Sequence, residues 1–490
     1  MKNWTFRVPD LPIVLACAGI LLMCVAAGFA IPYYHDDAFI SFRITEQILV
    51  GKGPYFFEGR KVYTSTSFLY PFLNCFTALL AGKNWVEFVP VLNGILTGLS
   101  FCICLWQARR RVPDIPFWKV LPVLFIFLPW LFERHNWMYG NGGLETAVYM
   151  LALSSVLLIE KFRNFSPWLI FIRPEGWLAG LAVTAEQILR KDWPGVRRII
   201  LQLVLSLLAW LAAGWLVYDT PIPQSFFAKS LHDVSRNYHL KIGLACLTFI
   251  NHLVPLGLVI VAVWLFFPFR KEVRLPVIWA GLYIFFYSVI AAWWNWYLPP
   301  LNLVYWFTGF LAFFYLISYN PGILIPDFYF RLLSGLLFVW MLWQGYSEFT
   351  ISKKWSEACR IRRNTSRSIS AFLSDSLSLK GRILLEPLGM IAWHGPELNI
   401  LDYPGLSSPE MTGFLSGLNK KIPYMLTDSE VNSAIIRQFR PEAFVLRPEE
   451  LQAFERCGEF RKNYSLRKNM PFYLPAKGMV SVSVFIRISR

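Results

Sequence analysis

Residues 11–31, LPIVLACAGILLMCVAAGFAI, carry no charged side chain. Such a run matches the ~20 residues a helix needs to cross ~30 Å of hydrocarbon. Within lipid the backbone must satisfy its own hydrogen bonds, so the run is dictated to be helical. It is longer than a signal-peptide core, and no clean small-residue cleavage site follows it, so it reads as an uncleaved first span. The chain as a whole agrees: 56% of its 490 residues are hydrophobic, 17% are aromatic and the mean hydropathy is +0.44. Soluble domains hold roughly 45–50% apolar residues. An integral membrane protein is expected.

The net charge of +16 does not point to nucleic acid. The basic residues are spread between apolar spans, as the excess of Lys and Arg on the cytoplasmic side requires. Six of the eight cysteines lie in apolar context without metal-like spacing and read as small hydrophobes. Cys359 and Cys457 lie in the polar tail, where a disulfide between them is left open.

The density of charged residues roughly doubles after residue 345. The tail carries the alternation of a strand in VSVSVFIRI (residues 480–488) and short apolar stretches in RILLE and AFVLR. Two domains are therefore expected: a membrane domain over 1–345 and a small soluble α/β domain over 346–490. Reading residues 67–82 as a full span would put Arg109, Arg110 and Arg111 outside, against the positive-inside rule. If that stretch lies along the outer interface, and residues 173–176 bend two short helices at the outer surface, every basic cluster falls inside. The clusters are Lys2 with Arg7, 109–111, Lys161 with Arg163, 190–198 and 270–274. This gives about eleven crossings, a cytoplasmic N-terminus and an external tail. Segments 32–86, 134–143, 219–242 and 293–297 then face outward.

Directly after the first span comes YYHDDAFISFR (residues 33–43). A carboxylate is costly at the bilayer centre but stays solvated at a helix mouth, so Asp36 and Asp37 are placed to be ionised. If 38–50 continues as an interfacial helix, Asp36 and Arg43 share a face and Phe39 and Phe42 dip into lipid. On the residues alone, a solvated helix-capping pair is the more ordinary explanation of Asp36 and Asp37.

The stretch HDDAFISFRITEQILVGKGPYFFEGRKVYTSTSFLYP (residues 35–71) resembles the first external loop of a bacterial branch of the GT-C glycosyltransferases, which use polyprenyl-phosphate sugars. That branch is similar to terminal arabinofuranosyltransferases and, more distantly, to protein O-mannosyltransferases and lipid A aminoarabinose transferases. GGLETAVYMLAL (142–153), RPEGWLAGL (173–181), YDTPIPQSFFAKS (218–230) and LDYPGLSSPEM (401–411) follow in the order of that family. Departures are Val62 before Tyr63-Thr64-Ser65, Gln224-Ser225 after Pro223, and a short connection before Arg173.

The resemblance implies a membrane glycosyltransferase with a lipid-linked donor and a hydroxyl acceptor on a glycan, lipid or protein, acting by inverting displacement at the bacterial inner membrane. Such transfer needs a base for the acceptor proton and cations for the departing phosphate. A positioned base contributes ~10²–10⁴-fold, and preorganised charge at the leaving group often more. Asp36 is the expected base, with Asp37 orienting it or binding acceptor. Lys229 is the first choice for the phosphate, with Arg43 and Arg173 supporting it, since arginine makes bidentate contacts and lysine a point charge. Glu145, Glu175 and Gln224 complete the expected substrate contacts. The bland readings are a snorkelling Lys229, an Arg173–Glu175 ion pair at a helix break, and Glu145 as a cap.

His35, His135 and His232 lack the close spacing of a metal-ligand pair, so no cofactor is assigned and a divalent cation is left open. WWNWYLPP (293–300) suits an interfacial aromatic belt, with Trp294 and Tyr297 as the residues to test for sugar stacking. Ser407, His394 and Asp402 lack a nucleophile elbow. A flippase of a lipid-linked glycan is the rival class, but it predicts repeats and midplane sites, and the charged motifs gather at one face.

Overall fold

A computed structural model describes residues 11–112, 115–231, 271–290, 297–319, 327–377, 381–386, 388–418, 422–423, 425–474 and 478–488. The chain is mostly helical: α1 (Leu11–Ala30), α2 (Ala38–Leu49), α3 (Tyr70–Ala81), α4 (Trp85–Arg111), α5 (Phe117–Leu131), α6 (Arg134–Asn141) and α7 (Thr146–Leu158) come first. After 3₁₀ segments at Glu160–Phe171 and Pro174–Trp177 follow α8 (Leu178–Leu189), α9 (Trp193–Tyr218) and α10 (Gln224–Ser230). Then come α11 (Lys271–Ile290), α12 (Pro299–Tyr319) and the long α13 (Asp327–Ser376). The remainder alternates: β1 (Arg382–Leu385), α14 (Leu388–His394), β2 (Asn399–Asp402), α15 (Pro409–Ser416), α16 (Ser429–Phe439), β3 (Ala443–Leu446), α17 (Pro448–Phe454), α18 (Gly458–Asn463), β4 (Tyr464–Leu474) and β5 (Gly478–Arg487).

Among the described residues, Leu11–Ala30, Tyr70–Arg111, Trp193–Tyr218 and Lys271–Val289 are long and apolar enough to cross a membrane. The second of these joins α3 and α4 through a turn. Alone, α3 has 12 residues, about 18 Å of rise, short of a crossing. It exposes Phe76, Leu79 and Leu80 and buries Asn74 and Thr77, an apolar-out face suited to lipid.

The chain divides into two compact units. The first holds residues 1–33, 83–208 and 236–353. Its α1 packs closely on α4 because Gly94 and Gly98, four residues apart, clear a path. A Cβ at Gly98 would stand 2.9 Å from the Cys24 sulfur, and one at Gly94 would stand 3.0 Å from the Cys24 carbonyl oxygen. Small residues at this spacing let membrane helices approach. The short connection before Arg173 is accommodated by the 3₁₀ conformation of Glu160–Phe171, whose rise of ~2.0 Å per residue reaches further than an α-helix of equal length. The next turn then folds back so tightly that a Cβ at Gly176 would lie 2.3 Å from the Leu169 carbonyl oxygen.

The second unit holds residues 34–82, 209–235 and 354–490. Its five-stranded sheet runs β2-β1-β3-β5-β4, parallel among the first three strands and antiparallel at β3–β5 and β4–β5. Strand side chains alternate between two cores. Ile383, Leu385, Ala443 and Val445 face one core, whereas Leu384, Phe444 and Leu446 face the other. The first core is closed by Ile369 and Leu373 of α13, Ile391 of α14, and Ile40 and Ile44 of α2. The helix after the first span is thus a layer of this α/β unit. Phe39 and Phe42, expected in lipid, are instead fully buried. They form an aromatic cluster with Tyr34 and Trp393, at ring distances of 5.3 to 6.5 Å.

Candidate active site

In the second unit, the chain turns at residues 36–37, and α2 starts at Ala38. Asp36 does not cap α2. Its carboxylate instead accepts the backbone N–H of Gly389 at Oδ2 (2.9 Å) and of Met390 at Oδ1 (3.1 Å), the first turn of α14. Each oxygen takes one amide, so each retains a further lone pair facing elsewhere. The approach is close enough that a Cβ at Gly389 would meet the Asp36 carbonyl oxygen at 2.0 Å.

Asp37 is more open, with 43% of its side chain exposed. His35 Nδ1 accepts the Asp37 backbone N–H (3.2 Å) and lies 3.9 Å from its carboxylate. Burial lowers the His35 pKa, opposed by Asp37 and Asp36 and reinforced by Arg362. A neutral imidazole with Nδ1 as acceptor fits that hydrogen bond.

Glu386 directly follows β1, three residues before Gly389. Arg447, which follows β3, pairs with Glu386 (2.7 Å) and with Glu450 (2.9 Å). Burial pushes the Glu386 carboxyl up to about 7; Arg447 opposes this, while Glu450, Asp36 and Asp37 add to it. On the cationic side, Arg363 lies over the Tyr34 ring (5.6 Å) and Arg362 over Phe472 (5.4 Å), both from α13. The Cys359 thiol, one turn away, donates to the Tyr34 carbonyl oxygen (3.4 Å). Burial pushes the His394 imidazole down to about 4, with Arg367 and Arg363 adding to the shift. Sequence reasoning missed Glu386, Arg362 and Arg363. The signals were a charge closing an apolar strand in ILLEP and the basic run RIRRNTSR (residues 360–367).

The other expected residues of this unit have definite partners. Arg43 pairs with Glu46 one turn along α2 (3.1 Å). Gln224 donates to Thr412 Oγ1 (2.8 Å) and to the Gly405 carbonyl (3.2 Å), tying residues 224–230 to the 405–412 segment. Lys229 lies half-buried near the end of α10. Asp402 accepts the Ser407 hydroxyl (2.5 Å) and backbone N–H (3.0 Å), so the pair shapes the turn after β2. Cys359 and Cys457 are both free and buried.

The first unit gathers Glu145, Arg173, Glu175 and Tyr297. Arg173 is 3% exposed. Its Nε stands 2.6 Å from Glu175, off the hydrogen-bond line, and 3.7 Å from Glu145, while Nη1 donates to Thr146 (3.3 Å). Its guanidinium faces the Tyr297 ring at 5.0 Å. Tyr283 donates to the Tyr297 carbonyl (3.0 Å), and Tyr287 lies against the Tyr297 ring at 4.3 Å. Trp294 and His232 lie outside the described residues. Among the described residues no group of three His, Cys, Asp or Glu side chains is placed to hold a metal.

Residues 357–485 match a family described as a domain of unknown function (DUF8728). A search of curated proteins finds no match. Among solved structures, the chain is similar to ArnT from Cupriavidus metallidurans bound to undecaprenyl phosphate, with TM-score 0.56, 12% identity, and 96% of this chain and 97% of that one covered. The apo form of the same protein matches with TM-score 0.58 at the same identity and coverage. Likeness at this identity is one of fold, and it extends over nearly the whole length. The chain therefore has the GT-C fold, mostly α, with a small sheet in its C-terminal part.

Proposed function

We propose that the chain is a membrane glycosyltransferase that moves a sugar from a polyprenyl-phosphate donor to a hydroxyl group of a glycan, lipid or protein. The observation that carries this reading is the Asp36 carboxylate, half-buried, fixed by two backbone amides and bordered by other charged groups. The fold likeness to ArnT, solved with undecaprenyl phosphate bound, supports the donor class.

In the proposed step the acceptor oxygen attacks the anomeric carbon and the bond from that carbon to the phosphate oxygen breaks. The acceptor proton passes to Asp36, and the lipid phosphate leaves with the electron pair. Attack opposite the leaving group inverts the anomeric centre. Fixing the carboxylate with amides lowers the reorganisation the base must undergo. Asp37, more exposed, is assigned to the acceptor. Lys229, with Arg362 and Arg363 added to the expected set, supplies positive charge for the phosphate. Arg43 is held by Glu46, and Arg173, with Glu175, Glu145 and Tyr297, forms a buried polar group of the first unit that we assign to substrate binding. Residues 1–345 are assigned to the inner membrane with a cytoplasmic N-terminus, and residues 346–490 to the extracytoplasmic side.

The test is Asp36→Asn, expressed in a strain lacking the native chain, with mass analysis of envelope glycans and donor binding measured in parallel. Retained donor binding with product reduced ~10²-fold or more is expected. Unchanged glycan product sinks the assignment.

A further inference from the structure

The first unit contains a cavity of about 420 Å³ lined by none of the residues assigned to transfer. It opens where several helices end: α4 at Arg111, α7 at Leu158 and α8 at Leu189, with α11 beginning at Lys271. Five cations line it: Arg110, Arg111, Arg163, Arg190 and Lys271. The acids there are fewer. Glu160 and Glu272 line the cavity, and the buried Glu186 beneath is shared by Arg163 (3.1 Å) and Arg190 (2.6 Å). Counting Glu186, five positive charges face three negative ones, a surplus of two. Arg111 is preorganised by its own turn, donating to the Gln107 carbonyl (2.8 Å) and lying 4.9 Å over the Phe307 ring.

Among the described residues, two of the four apolar stretches long enough to cross a membrane have an end at this cavity, one at Arg111 and the other at Lys271. The surroundings in sequence are exposed and apolar: Leu189 and Trp193 flank Arg190, and Phe165 and Trp168 follow Arg163. A cationic pocket at the end of membrane helices, with exposed tryptophans close by in sequence, matches the chemistry of a phosphate headgroup whose acyl chains stay in the bilayer. Helix C-termini alone favour single cations, but they do not require five around one cavity.

We infer that the cavity lined by Arg110, Arg111, Arg163, Arg190 and Lys271 binds the phosphate headgroup of an anionic phospholipid. By the positive-inside argument it faces the cytoplasmic leaflet, so it serves as an anchoring or regulatory lipid site.

The experiment uses the full chain in zwitterionic detergent, with thermal unfolding and native mass spectrometry as readouts. The additions are phosphatidylglycerol, phosphatidylcholine or inorganic phosphate. Phosphatidylglycerol should be retained and raise the melting temperature by several degrees, while phosphatidylcholine does neither. The double variant Arg110→Gln/Lys271→Gln, which leaves the buried Glu186 pairs intact, should weaken phosphatidylglycerol binding at least tenfold. Equal stabilisation by both lipids, or an unchanged double variant, overturns the inference. Inorganic phosphate acting as strongly as phosphatidylglycerol at equal concentration overturns the lipid assignment in favour of a soluble anion. Should the double variant fail to fold, retention by the unaltered chain decides: loss between 50 and 500 mM NaCl supports a charged headgroup site, and salt-insensitive retention overturns it.

Discussion

The Asp36 carboxylate accepts the backbone N–H of Gly389, 353 positions further along the chain, at 2.9 Å. Every substitution at position 389 therefore acts on Asp36. A methyl group at Gly389 would press on the Asp36 carbonyl oxygen. Gly389→Ala is expected to reduce transfer at least tenfold while leaving donor binding within about twofold, measured with a polyprenyl-phosphate sugar donor. Full activity in that variant would show that the base tolerates displacement.

Glu386 gives the second unit a pH dependence. Its folded-state value of about 7 lies above its ordinary 4.5. The folded chain thus holds a proton that the unfolded chain releases, and the contribution present below pH 4.5 is lost as pH rises toward 7. At ~1.4 kcal/mol per unit, a few kcal/mol are involved. Melting temperature should fall between about pH 4.5 and 7, and Glu386→Gln should flatten that fall. An identical slope in the variant would refute the assignment.

Glu186 is 1% exposed and holds two guanidinium groups. Removing one member of a buried ion pair strands the other, at a cost of ~3–5 kcal/mol. Because Arg190 is 40% exposed and partly solvated, Glu186→Gln is expected near the lower end, ~3 kcal/mol, by thermal unfolding in detergent.

Cys359 and Cys457 are buried and free, and burial raises both thiol pKa values. Low thiolate content and low access slow alkylation. Neither should react with a polar maleimide in the folded chain, and both should react after denaturation without reductant. Recovery of a linked Cys359–Cys457 peptide would contradict the structure.

The membrane helices were legible because lipid leaves the backbone few alternatives. The strand at VSVSVFIRI was legible through its alternation, whereas RILLE and AFVLR stood out only as short apolar stretches; all three join the sheet. The destination of α2 was not. Phe39, Phe42, Ile40 and Ile44 demand an apolar neighbour, but lipid and a protein core make the same demand of sequence. Asp36 announced itself as a charge at a helix mouth. Its partners are backbone amides, which leave no side-chain signature, and no local pattern joins position 36 to position 389.

That union of distant segments also sets a timetable for biogenesis. At roughly 5–20 residues per second, synthesis of the 353 residues separating Asp36 from Gly389 occupies roughly 20–70 s. Throughout that interval Ile40 and Ile44 have been made without the sheet that will cover them, and Phe39 and Phe42 without the Trp393 ring. A nascent chain released before position 389 therefore carries its acid but leaves these four side chains without the partners that bury them.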